Sequence, residues 1–241
     1  VFRISLINFI SGTSFVKALT ENRFSIPSFI FIILLSNFVG SYIIYNKHLK
    51  GAIYMIGDMQ NWRPNVAGII EHARSMHPNT EVVSRLVSGE IHKTNYEEVC
   101  IRSRKLASAL EKDGIKKGDV VATLALNTYR HLEMYYGISG MGAITHTLNF
   151  RLHPEQAVYI INHAEDKMIF VELPFVPILE GLQDNLSTVE KYVVLCNEDE
   201  MPETSLKNAL SYEEYIKNGD ENYSWPDMDD DAACALCYTS G

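Results

Sequence analysis

Asp119-Val120-Val121-Ala122-Thr123-Leu124-Ala125-Leu126 is an almost unbroken apolar run. A strand buried on both faces, as in a parallel sheet, reads this way. Downstream, Asn127 or Thr128 can cap a helix running to about Met141, and 143–148 reads as the next strand. His153-Pro154-Glu155 opens another helix, with proline at the tolerated first position. Residues 167–171 form a further strand, 174–185 a helix and 192–196 a strand. Repeated strand–helix alternation predicts an α/β fold, a mostly parallel sheet flanked by helices.

Upstream, Val66-Ala67-x-Ile69-Ile70 with Ala73 and Met76 recurs at helical spacing and stops before Pro78. Residues 81–87 are rich in β-branched types, and a turn at Gly89 predicts a hairpin into 91–94. Thr94-x-x-Glu97 has the form of a capping box for the helix that follows. That helix carries Val99, Leu106, Ala107 and Leu110 on one face, with Arg102, Arg104, Lys105 and Glu111 elsewhere, and Gly114 stands at its left-handed C-terminal cap. Residues 197–231 are polar and acidic, apart from a short helix near 208–217, and read as a surface excursion before a last strand at 232–238.

Composition, at 46% hydrophobic and 21% charged, describes a soluble globular protein, and a net charge of −9 excludes a general nucleic-acid binder. The charge is uneven. Residues 1–54 are basic, hold seven of the ten phenylalanines, and are half Ile, Phe, Asn, Tyr and Lys. Residues 24–46 are uncharged, flanked by Arg23 and Lys47, and long enough to span a bilayer. Pro27, Asn37, Gly40 and serines such as Ser28, Ser36 and Ser41 dilute that stretch. It reads either as a membrane segment or, because AT-rich codons encode this composition, as upstream sequence translated in frame. Met55 opens the segment of ordinary composition, so the organisation expected is an extension, 1–54, and a domain, 55–241. The abrupt ending at Tyr238-Thr239-Ser240-Gly241 reads as a truncation.

Candidate chemistry is sparse. Cys234-Ala235-Leu236-Cys237 has the spacing of half a zinc site or a redox pair, yet side chains three apart on a strand point to opposite faces. Small buried strand residues are the better reading, and four scattered cysteines suit a reducing, cytoplasmic compartment. His72 and His77 belong on the surface, and His131 and Glu133, two apart on a helix, do not face each other. His146 lies near the C-terminal end of a buried strand, where open α/β sheets place ligands. Asp227, Asp229, Asp230 and Asp231 could hold a divalent ion, but consecutive carboxylates repel and a solvated loop fits better. Tyr238-Thr239-Ser240-Gly241 combines hydroxyls, backbone N–H groups and little bulk, which is what binding a polyphosphate requires.

The order of several segments resembles the adenylate-forming superfamily, in particular its acyl-CoA synthetases. They are Asn95-Tyr96-Glu97-Glu98, Lys117-Gly118-Asp119, Asn127-x-x-x-His131-Leu132-Glu133, and Gly142-Ala143-Ile144 leading to His146-Thr147-Leu148-Asn149-x-Arg151-Leu152. Ile160-Ile161-Asn162-His163-Ala164-Glu165-Asp166 and the closing Tyr238-Thr239-Ser240-Gly241 complete the series. The resemblance implies the first subdomain of a ligase that joins a carboxylic acid to AMP and then to coenzyme A, using ATP and Mg²⁺. Medium- and long-chain fatty-acid ligases and a ligase for 3-methylthiopropionate fit equally. Thr239, Ser240 and Gly241 would begin the ATP-phosphate loop, and His146 and Asn149 would lie near substrate. No catalytic or metal-binding residue is expected here, since the rest of the loop, the metal-binding glutamate and the catalytic lysine lie beyond residue 241. Phe150 departs from the family, which often has proline there. Two rivals are adenylation with a different acceptor and a membrane-tethered interaction module without catalysis.

Overall fold

The computed structural model describes residues 64–239. Helix α1 (Val66–Met76) precedes a hairpin of β1 (Glu81–Arg85) and β2 (Ile91–Asn95), antiparallel as expected. Then come α2 (Tyr96–Lys112), β3 (Val120–Leu124), α3 (Tyr129–Gly140), β4 (Ile144–Thr147), α4 (Pro154–Ala164) and β5 (Met168–Val171). The chain continues through α5 (Val176–Leu182), β6 (Lys191–Val194), β7 (Ala209–Ser211), α6 (Tyr212–Lys217) and β8 (Ala235–Leu236). Six strands form one sheet in the order β7-β6-β5-β3-β4-β8, every pair parallel.

The apolar run at 119–126 is the reason for this arrangement. β3 sits between β4 and β5, and its alternate residues feed two different cores. Val121 points into a layer with Leu106 and Leu110 of α2, Met134 and Ile138 of α3, and Tyr212 and Ile216 of α6. Ala122 and Leu124 point the other way, against Ile161 of α4 and Val176, Leu179 and Leu182 of α5. A third, smaller cluster joins Ile70 of α1 to Val99 and Cys100 of α2. Ile69 and Met76, although in register with the helical pattern of α1, are exposed among the described residues.

Helix ends follow local chemistry, with one correction. Thr94 does not cap α2: it stays in the hairpin ladder opposite Val82, and Asn95 is the N-cap, its Oδ1 accepting the Glu98 amide at 2.9 Å. Asn95 is the last residue of β2, opposite Glu81, and its extended backbone is also what an N-cap needs, so the cap falls on the residue next to the helix; Asn is a strong cap worth about 1 kcal/mol. At the other end Gly114 adopts φ +87, the left-handed position expected of it.

Two further expectations give way. The polar stretch at 197–231 is not only a surface excursion: β7 extends the sheet, and Leu206, Tyr212, Ile216 and Met228 are buried. Charged neighbours such as Glu213 and Glu214 mask this, because short amphipathic elements carry few apolar residues each. Arg102, off the apolar stripe of α2, is largely enclosed between Glu133 and Glu213. The last strand shrinks to Ala235–Leu236, and Cys234 and Cys237 are exposed rather than buried. β8 pairs with β4 on one side and, among the described residues, has nothing on its other edge.

Residues 1–54, including the membrane-length stretch 24–46, lie outside the described residues, as do Ser240 and Gly241. Among the described residues no helix is long and apolar enough to cross a membrane.

Candidate active-site cleft

Open parallel sheets bind ligands beyond the C-terminal ends of their strands. Two places there are available. Beyond β3, Leu124, Leu148, Ile161, Leu179 and Leu182 close around a void of only about 20 Å³, too small to admit a ligand. Beyond β4 and β8 a cleft of about 580 Å³ opens instead, lined among others by His146, Asn149, Gln156, Tyr159, Tyr238 and Thr239.

β4 delivers His146 to the cleft. In register His146 stands opposite Ala122 of β3 and Leu236 of β8, on the face covered by α4. The loop that follows is held by its own backbone and side chains. Leu148 N–H donates to Thr123 O at 2.9 Å, Asn149 Oδ1 accepts the Arg151 amide at 3.0 Å, and Leu152 N–H donates to Asn149 O at 3.1 Å. Asn149 thus turns the chain, an Asx-type role, while lining the cleft. Phe150, where proline was the expectation, stacks on Phe175 at 5.0 Å and lies under the Arg151 guanidinium at 5.3 Å. Pro154 then starts α4, whose N-cap amide at His153 donates to Gln156 Oε1 at 3.3 Å.

His146 is completely buried and paired. Its Nδ1 lies 3.0 and 2.8 Å from the two carboxylate oxygens of Asp166, itself completely buried. Burial pushes the Asp166 carboxyl above its ordinary range, and the bond from His146 opposes that rise. An ionised Asp166 can only accept, which puts a proton on Nδ1, while Nε2 is buried with no hydrogen-bond partner among the described residues. The His146 ring lies 5.2 Å from that of Tyr238, whose hydroxyl is 2.6 Å from His163 Nδ1. Cys237 Sγ, the neighbouring residue, is 3.4 Å from Thr147 Oγ1. Thr239 follows, exposed at the rim of the cleft.

Of the residues singled out in sequence, His146, Asn149 and Thr239 therefore converge on one cleft, while Ser240 and Gly241 lie outside the described residues. Asp166, His163 and Tyr159 were not singled out for a role. His163 and Asp166 stood in a segment carrying the resemblance, but their partners lie 75 and 20 residues away, and only the stacking of α4 on β4 brings them together. His131 and Glu133 go separate ways, His131 Nε2 to Thr123 Oγ1 at 3.2 Å and Glu133 to Arg102 and Tyr212. His72 and His77 are exposed, as are Asp227, Asp229, Asp230 and Asp231. Among the described residues no three His, Cys, Asp or Glu side chains gather to hold a metal ion.

Residues 70–241 match the AMP-binding enzyme family, covering most of the chain. The chain belongs to that family. It is 42% identical over 187 residues to a medium-chain-fatty-acid–CoA ligase of Ectopseudomonas oleovorans, a match covering 78% of this chain and 34% of the relative. It is 40% identical to the 3-methylmercaptopropionyl-CoA ligase of Ruegeria pomeroyi, over 78% of this chain and 35% of the relative. The chain thus spans about a third of the length of these curated relatives. The fold agrees. A crystal structure of an anthranilate CoA ligase with anthranoyl-AMP superposes with a TM-score of 0.67 at 22% identity, over 76% of this chain and 33% of that one. A Mycobacterium tuberculosis fatty acyl CoA synthetase does so at 0.62 and 20% identity, over 73% and 32%.

Proposed function

We propose that this member of the AMP-binding enzyme family carries the first subdomain of an ATP-dependent acyl-CoA ligase. In that reaction a carboxylate attacks the α-phosphate of Mg-ATP, releasing pyrophosphate, and the thiol of coenzyme A displaces AMP from the acyl-adenylate. A carboxylate is a poor electrophile, and the mixed anhydride makes its carbonyl attackable. The phosphoryl charge is met by positioned donors and a metal ion rather than by covalent help from the protein. Thr239, Ser240 and Gly241 begin the phosphate loop, ATP, Mg²⁺ and coenzyme A are the cofactors, and the acid is a medium- or long-chain fatty acid.

The observation that carries this reading is the run of family similarity through residues 70–241, which ends on the strand leaving the C-terminal edge of a parallel sheet. The hydroxyl of Thr239 at the cleft rim suits a phosphate donor. Among the described residues the cleft is lined by hydroxyl and amide side chains, which suit hydrogen bonding to an anion. Because the chain spans about a third of its relatives, the activity is proposed for a protein in which this sequence is completed by the remaining length. His146 and Asn149 are proposed to stand near substrate through the cleft they line.

The test is pyrophosphate release by the complete ligase with carboxylic acids from short to long chain, with and without coenzyme A. Acid-dependent release that falls on Thr239→Val supports the reading, and no release with any acid refutes it. The near-equal identity to the Ruegeria ligase favours 3-methylmercaptopropionate as a second substrate candidate, decided by the same panel.

A further inference from the structure

β8 presents a physical problem. It pairs with β4 at only two positions, Thr145 opposite Ala235 and His146 opposite Leu236, so the ladder ends before Tyr238 and Thr239 are reached. A loop that must hold donors within a few tenths of an ångström of a polyphosphate gains nothing from a strand free to sway. Side chains replace the ladder at this point. The Tyr238 hydroxyl is 2.6 Å from His163 Nδ1 on α4, and His163 in turn stacks on Tyr159 at 5.4 Å. The Tyr238 ring rests against His146, at 5.2 Å between centroids.

His146 is itself held rigidly. Asp166 contacts its Nδ1 with both oxygens, and the Asp166 amide donates to Ile161 O at the end of α4, just after Glu165 turns the chain at φ 57. One helix therefore fixes both supports of Tyr238: His163 directly, and His146 through Asp166 at its C-terminal turn. The Nε2 atom of His146 is buried without a partner, which leaves half the polar capacity of the ring unused. An apolar side chain would avoid that cost. The half that is used, the Asp166 bond, sets the plane of the ring behind Tyr238.

The geometry points to His163, with the His146–Asp166 pair behind it, as positioning residues that lock Tyr238 and thereby set where the ATP-phosphate loop begins. The inference deepens the ligase reading and rests on it for the identity of the loop. His163 touches no reacting atom; it acts through Tyr238 on the neighbouring Thr239. The bond lies at the surface, where water competes for both partners, and is worth a factor of about 2 to 3 in an equilibrium.

Three variants test it: His163→Leu, which removes the bond; His163→Asn, whose amide can occupy the place of Nδ1; and Tyr238→Phe, which keeps the ring and removes the hydroxyl. In the complete ligase, H163L and Y238F are expected to raise KM for MgATP by about 2- to 3-fold with KM for the acid unchanged, and H163N to restore the wild-type value. In the 241-residue chain, the ¹³Cζ resonance of Tyr238, sensitive to phenol hydrogen bonding, should move in H163L and return in H163N. If H163L does not fold, Y238F carries the kinetic test. A Tyr238 resonance unmoved by H163L, or a KM that rises equally for ATP and acid, overturns the proposal. A wild-type ligase that releases no pyrophosphate counts against the ligase reading alone, and the resonance then decides this one.

Discussion

Glu133→Gln should remove a loss of stability that the wild-type protein suffers as pH rises toward neutrality. Glu133 lies on α3 and is completely buried. Its Oε1 accepts from Arg102 Nε at 2.8 Å and its Oε2 from the Tyr212 hydroxyl at 2.9 Å. Arg102 turns its remaining two nitrogens to Glu213 at 2.9 and 3.0 Å, and Arg130 joins Glu213 at 3.0 Å and Asn197 at 2.7 Å. Burial pushes the Glu133 carboxyl from 4.5 up to about 7, against the pull of Arg102 and Tyr212. Burial alone would also raise Glu213, but Arg102 and Arg130 outweigh it and hold that carboxyl below its ordinary range.

The sign follows from the direction. The folded state binds the Glu133 proton more tightly than the unfolded chain, so the proton stabilises the fold below pH 4.5 and this contribution disappears as pH rises through about 7. At about 1.4 kcal/mol per pH unit, that interval amounts to about 3 kcal/mol. Glutamine keeps the volume, accepts from Arg102 through its amide oxygen, and donates to a reoriented Tyr212 hydroxyl, but it cannot ionise. Urea unfolding of both proteins at about pH 4 and pH 8 isolates the effect, because other titrations cancel in the difference. Wild type should lose about 3 kcal/mol relative to E133Q between the two conditions. A difference constant within about 0.5 kcal/mol would refute the buried-carboxylate argument.

Other outcomes follow from single contacts. A Cβ at Gly219 runs into the Lys105 carbonyl of α2, so Gly219→Ala should cost about 1–3 kcal/mol in urea unfolding, and unchanged stability would deny the close approach. Asn95→Ala should cost about 1 kcal/mol by loss of the α2 cap, whereas Thr94→Ala should leave that cap intact; a reversed order would restore the capping box at Thr94. Cys234 and Cys237 are exposed, whereas burial pushes the thiols of Cys100 and Cys196 up to about 12 and about 11. At pH 8 an aromatic disulfide reagent should therefore label two thiols quickly, and C234S with C237S should abolish that phase; fast labelling in the double variant would contradict the burial.

Much of the fold was legible because its signals are local. The apolar run at 119–126 announced a central strand, and the alternation around it announced a parallel sheet; both are observed. Gly114 and Pro154 marked helix ends through backbone geometry alone. The short elements were less legible. β7 has three residues and β8 two, too few for a period to emerge, and a strand of that length exists because a neighbour offers it hydrogen bonds. Cys234 and Cys237 read as buried because an apolar sequence states what a strand can bury, not whether anything covers it.

The cleft divides along the same line. Residue type and local position marked His146 as a strand-end residue and Thr239-Ser240-Gly241 as a run suited to phosphate, while Asn149 entered only through the family resemblance. The pairing of His146 with Asp166 and of His163 with Tyr238 was decided only by tertiary structure. These contacts depend on α4 lying across the C-terminal half of β4 and on β8 returning beside it after some 90 residues, as the Thr147–Cys237 separation shows. The enclosure of Arg102 and Glu133 has the same origin: two helices and a distant carboxylate remove them from water, and no spacing along one helix can express that.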